Sequence, residues 1–68
     1  METIRAAGLQ VGTMYRWALG DPEELFVVLD VPRFIDPVYP NYFKVLSNKF
    51  SRREMSIFAS DKFFAVTQ

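Results

Sequence analysis

Apolar positions along this chain come in short runs, each cut off by turn-forming residues. Residues 13–17, 25–31, 42–46, 55–59 and 64–67 are rich in β-branched and aromatic side chains, and Gly20-Asp21-Pro22, residues 32–41, Ser47-Asn48-Lys49 and Ser60-Asp61-Lys62 separate them. Short runs at such spacing predict strands of a small all-β barrel or sandwich, with no long helix. Residues 1–8 read as an N-terminal arm, in which 3–7 form at most one helical turn ended by Gly8, and residues 9–68 as a single domain. Gly12 is expected in a backbone conformation closed to other residues. Ser60-Asp61-Lys62 is expected to cap a one-turn 3₁₀ segment before the last strand.

Two stretches depart from simple alternation. Residues 25–29 (Leu-Phe-Val-Val-Leu) are apolar on both faces of any strand, the pattern of a strand covered on both sides. One of Val27 and Val28 therefore faces away from the core, as does one of Phe63 and Phe64 if both lie in a strand. Residues 32–41 hold three of the four prolines together with Phe34, Ile35, Val38 and Tyr39. This is a stiff loop, either packed back on the body or presented outward.

Composition limits what can hold the fold together. Sixty-eight residues make one domain, and a chain of this size buries only about 60% of the surface its unfolded form exposes. There is no Cys and no His, which removes disulfides, an ordinary zinc site, and the usual general base and thiolate nucleophile. Dense packing or a partner must supply stability instead, and a chain that is half hydrophobic and 16% aromatic is suited to both. Eight Lys and Arg balance eight Asp and Glu, so no generic charge drives it toward nucleic acid or an anionic membrane. The longest apolar run is too short to cross a bilayer. Met1-Glu2-Thr3-Ile4-Arg5 does not open a signal peptide.

The order of elements resembles an SH3-like small β-barrel, in particular the short stand-alone barrels of tailed bacteriophages. Leu9-x-Val11-Gly12-Thr13-Met14-Tyr15-Arg16 matches the opening strand, Leu25-Phe26-Val27-Val28-Leu29-Asp30-Val31 the second and Tyr42-Phe43-Lys44-Val45-Leu46-Ser47-Asn48 the third. Met55-Ser56-Ile57-Phe58-Ala59-Ser60-Asp61-x-Phe63 matches the closing strand, 3₁₀ turn and start of the final strand, so the likeness spans roughly residues 9–67. It implies a five-stranded barrel with a short N-terminal arm. The Ala-Leu-Tyr-Asp-Tyr signature of signalling SH3 domains is absent and Trp17 stands alone, so a polyproline groove is not supported. The resemblance implies a non-catalytic binding or building module, in a virion or a host cytoplasm.

Three kinds of chemistry compete for the surface. Asp21, Glu23 and Glu24 cluster in one loop, but they lack the glycine and ligand spacing of a calcium loop and read as a solvated acidic turn. No metal, cofactor or small-molecule substrate is expected, nor any catalytic residue. Lys44, Lys49, Arg52 and Arg53, with Tyr42 and Phe50 interleaved, pair charge for phosphate with rings for bases, the needs of a single-strand binder. Glu54 and the zero net charge oppose that reading. A protein interface accounts for more of the chain. Trp17, Phe34, Tyr39, Phe50, Phe63 and Phe64 are more rings than one small interior holds, and the interface candidates are Trp17, Val28, Arg33, Phe34, Tyr39 and Phe63. The expected function is a non-enzymatic interaction or structural module working with a protein partner or as a homo-oligomer. The alternatives are a single-stranded nucleic-acid binder and a phage inhibitor of a host protein.

Overall fold

The structure, a computed structural model, describes residues 2–66. It is all-β, with β1 (Ile4–Arg5), β2 (Met14–Trp17), β3 (Leu25–Asp30), β4 (Asn41–Ser47), β5 (Ser51–Ile57) and β6 (Lys62–Ala65). These form one open antiparallel sheet in the order β1-β6-β2-β3-β4-β5. There is no α-helix among the described residues.

Six strands stand where five are expected, because the presumed arm is part of the sheet. Ile4 and Arg5 pair with Phe63 and Lys62 of β6. The 3₁₀ turn lies at Ala6–Gly8 and buries Ala6, instead of preceding the last strand. Before β6 there is a hydrogen-bonded turn: the Asp61 N–H donates to the Phe58 carbonyl at 3.0 Å. The Asp61 carboxylate accepts from the Phe58 N–H at 2.8 Å. An Asp that answers its own turn in this way leaves no helical ladder to cap.

The strand bounds shift for equally local reasons. β5 begins at Ser51, not Met55, since the Ser47↔Ser51 pairing brings Arg52, Arg53 and Glu54 into the ladder. Those charged residues look unlike a buried strand, but β5 is a sheet edge, where charge is the usual protection against stray pairing. β6 covers Lys62–Ala65, and Thr67 of the expected 64–67 strand lies outside the described residues. Gly12 has φ +86°, as its place in the turn before β2 requires.

A single sheet without helices buries a face only by curling round it. Phe26 on β3 and Phe63 on β6 are separated by β2, so a flat sheet would hold their strands roughly 9.6 Å apart. Their ring centroids are 5.7 Å apart, edge to face, and Trp17 lies 4.6 Å from Phe63. The bend is helped by a register shift between Val28 and Asp30, which leaves Leu29 as an extra residue against β4. Tyr15, Phe26, Val28, Phe43, Val45, Met55, Ile57 and Phe63 fill the concave side, closed at its margins by Ala6, Leu9 and the half-buried Ile35.

Register with β2 and β4 resolves the ambiguous run. Phe26 lies opposite Tyr15 and Val28 opposite Val45, all inward. Val27 and Leu29 face outward. The expectation that Val28 and Phe63 belong to an interface is thereby corrected: both are 0% exposed. Val27 and Phe64 take the outward positions instead.

Candidate functional site

β3 and β4 run antiparallel, so the loop before β3 and the loop after it lie at opposite ends of the pair. The two ends are chemically different. At the Leu25 end, residues 21–24 are tied to the β4–β5 turn. Glu24 is 3% exposed. Its carboxylate accepts from the Ser47 hydroxyl at 2.8 Å and from the Arg53 guanidinium at 3.1 Å. Ser47 in turn accepts from the Lys49 and Phe50 N–H groups. Asn48 links the loops twice more, accepting from the Leu25 N–H at 2.8 Å and donating to the Glu23 carbonyl at 2.9 Å.

Lys49 closes this clip from outside. Its ammonium lies 2.7 Å from the Asp21 carboxylate and 3.5 Å from that of Glu23. The bond from Lys49, followed by one from the Glu23 N–H, holds the Asp21 carboxyl below its ordinary 3.8. The same contact, chiefly the hydrogen bond to Asp21, raises Lys49 above 10.5. The acidic turn is therefore not simply solvated: Glu24 is interior, and the other two carboxylates face a lysine. Among the described residues, no three metal-ligating side chains come together.

At the Asp30 end, residues 31–40 are held from within. The Asp36 carboxylate accepts from the N–H groups of Val38 and Tyr39 at 2.8 and 2.9 Å, and these bonds, Tyr39's first, lower its pKa below 3.8. Buried Asn41 accepts from the Asp36 N–H at 2.7 Å and donates to the carbonyls of Asp36 and Ile57. Polar groups thus fix the backbone, and proline fixes φ at three further positions. Of the apolar side chains, Ile35 turns inward against the core. Phe34, Val38 and Tyr39 are 72, 69 and 70% exposed. Both expected behaviours of the loop occur, divided between residues.

The convex face carries a third feature. Met14, Val27 and Leu46 lie side by side across β2, β3 and β4. With Leu25 they floor an open cleft of about 380 Å³, rimmed by Ser47, Asn48 and Ser51 at the Leu25 end. A second depression of about 530 Å³, lined by Leu29, Asp30, Lys44, Arg52, Arg53 and Glu54, mixes charges of both signs.

Of the interface candidates, Arg33, Phe34 and Tyr39 are together on one exposed loop. Trp17 is half-buried against Phe63 and Phe26, so it serves mainly as a lid on the core. The loop of residues 21–24 and the 31–40 loop lie at opposite ends of β3 and do not form one surface. Of the nucleic-acid candidates, Tyr42, Lys44 and Arg52 are exposed, whereas Lys49 and Arg53 are engaged by the acidic loop. Phe50 lies under the Arg53 guanidinium, 4.7 Å from centroid to carbon. The basic cluster is thus split.

The sequence marks neither Asn41 nor a row of Met14, Val27 and Leu46 as part of a site, although it leaves Val27 free to face outward and places Val38 in the stiff loop. Leu46 carries a signal in sharing one strand face with Lys44 and Tyr42. Asn41 had none, because an Asn at a strand start reads as a surface residue. No helix among the described residues is long and apolar enough to cross a membrane. No protein-family model, curated protein or solved structure matches this chain.

Proposed function

We propose that this chain is a non-enzymatic protein-interaction module, an SH3-like small barrel that acts as a virion-associated or adaptor protein of a tailed phage. The observation that carries the interaction reading is the loop of residues 31–40. It shows three large apolar side chains to solvent on a backbone already held by Asp36 and Asn41. Pre-ordering matters, because a partner then gains the apolar burial without the cost of arranging the loop. Arg33, exposed on the same loop, adds a charge that sets orientation. The barrel assignment is supported by the antiparallel order of β6-β2-β3-β4-β5 and by the curl that brings Phe26 to Phe63.

A photo-crosslinking residue placed at position 34, and separately at 39, tests this in the cell that makes the protein. The expected result is the same protein adduct from both sites, lost on Val38→Asp and absent from a probe at position 2. Single-strand oligonucleotide binding that falls steeply with salt and depends on Lys44 and Arg52 would overturn the reading in favour of a nucleic-acid binder.

A further inference from the structure

The molecule carries an apolar projection and an apolar recess, and the two lie at opposite ends of the same strand pair. Phe34, Val38 and Tyr39 are exposed on the loop that leaves β3 at its Asp30 end. The cleft over Leu25 and Leu46 opens on the convex face toward the other end. The six residues of β3 separate them by roughly 20 Å at about 3.3 Å per residue, so one copy cannot fill its own cleft. We infer that the 31–40 loop of one copy seats in the Met14–Leu25–Val27–Leu46 cleft of the next, joining copies head to tail. This rests on the interaction reading above and names the partner as a second copy of the chain.

Charge agrees with that occupant. Arg33 is exposed on the projecting loop and has no ion-pair partner among the described residues. The Glu23 carbonyl accepts from the rim residue Asn48 at 2.9 Å, and the Glu23 side chain is 80% exposed with only a 3.5 Å contact to Lys49. A copy docked through its loop places that cation against this carboxylate. The second depression, lined by Asp30, Lys44, Arg52 and Glu54 among others, mixes signs and offers no such match.

The area sets the strength. Aromatic side chains bury about 150–250 Å² each when fully covered. Two of them and Val38, with their surroundings, hide on the order of 500 Å² per copy, or about 1,000 Å² per joint, the lower limit for a specific interface. Each joint is therefore weak. A contact between two different patches closes into a ring if the rotation allows and otherwise grows as a filament. Either form gains from many weak joints acting together.

Light scattering of the full chain over a hundredfold range of concentration, with two variants, tests the contact. Wild type is expected to grow in mass with concentration. Tyr39→Asp blunts the projection, and Leu46→Glu charges the cleft while facing Arg52 across the strand. Each alone is expected to be at least tenfold weaker in self-association, the scale of losing one hot spot. Mixed in equal amounts they should form a dimer and nothing larger, since only one intact projection–cleft pair remains. Cooperative thermal unfolding checks that both variants fold, with Val38→Asp as a second projection variant. Failure of the mixture to pair overturns the head-to-tail contact. A wild type that stays monomeric while the probe at position 34 captures a foreign protein overturns it too, but leaves the interaction reading standing. A monomer that also gives no adduct removes both.

Discussion

At the Leu25 end of the β3–β4 pair the charged side chains are turned to internal use: Glu24 on Ser47 and Arg53, Lys49 on Asp21 and Glu23. At the Asp30 end the polar side chains are also used internally, by Asp36 and Asn41, but the apolar ones are left outside. The loop richest in charge thus stabilises the fold, and the loop richest in apolar groups is the one displayed. In a chain with so little interior, charge is more useful as a clip between loops than as a solvated coat. The rings that do not fit the core remain on the surface.

The largest expected effect comes from opening the clip. Glu24→Ala leaves the half-buried Arg53 and the Ser47 hydroxyl without their acceptor, and the expected loss is about 2–3 kcal/mol in urea unfolding. The upper range for a fully buried pair does not apply, because Arg53 is partly solvated. Asn41→Ala breaks the other end. It removes the acceptor for the Asp36 N–H and a donor to Ile57, with an expected loss of about 1–2 kcal/mol. Amide exchange should then speed at Val38 and Tyr39 more than in β4.

pH separates the two ends without changing a core residue. Asp21 and Asp36 both have folded pKa values below 3.8. Their contribution is fully present above that value and is lost as pH falls through the lowered ones. Lys49 has the opposite sign: its raised value contributes stability below 10.5 that is lost as pH rises through the folded pKa. Urea midpoints against pH should therefore show that Asp21→Asn flattens both the acid limb and part of the alkaline limb. Asp36→Asn should flatten the acid limb alone. The smallest effect belongs to the displayed rings: Phe34→Ala and Val38→Asp should each change stability by no more than about 0.5 kcal/mol, measured at concentrations where the chain is dispersed. A larger loss would mean that the loop side chains support the fold.

Much of the architecture is legible in the residues. The turn chemistry between apolar runs marks β2, β3 and β4 nearly to the residue, and Gly12 announces its turn. What misleads is local resemblance to the wrong context. Arg52-Arg53-Glu54 looks like a loop because its only protection is to be an edge, which is a property of the sheet order. Ile4 and Arg5 look like an arm because two residues carry no period, and only β6 beside them makes a strand. The exposed Phe34 and Tyr39 were legible from the mismatch between a stiff loop and its ring content. The cleft was not, since Met14, Leu25, Val27 and Leu46 come from three strands.

The class can be read from the residues alone: short strands, tight turns, a neutral chain without His or Cys, and more apolar side chains than one interior holds. Which of those side chains go in depends on how the strands pair. In residues 25–29 every position is apolar, so hydrophobicity cannot choose between the two faces. The choice of Phe26 and Val28 comes from register with Tyr15 and Val45, because shifting a strand by one residue exchanges its faces. The same registry lets polar Asn41 and Ser47 inside and leaves Leu46 out. A polar group is admitted to the interior when its hydrogen bonds are met there, and those bonds come from residues distant along the chain.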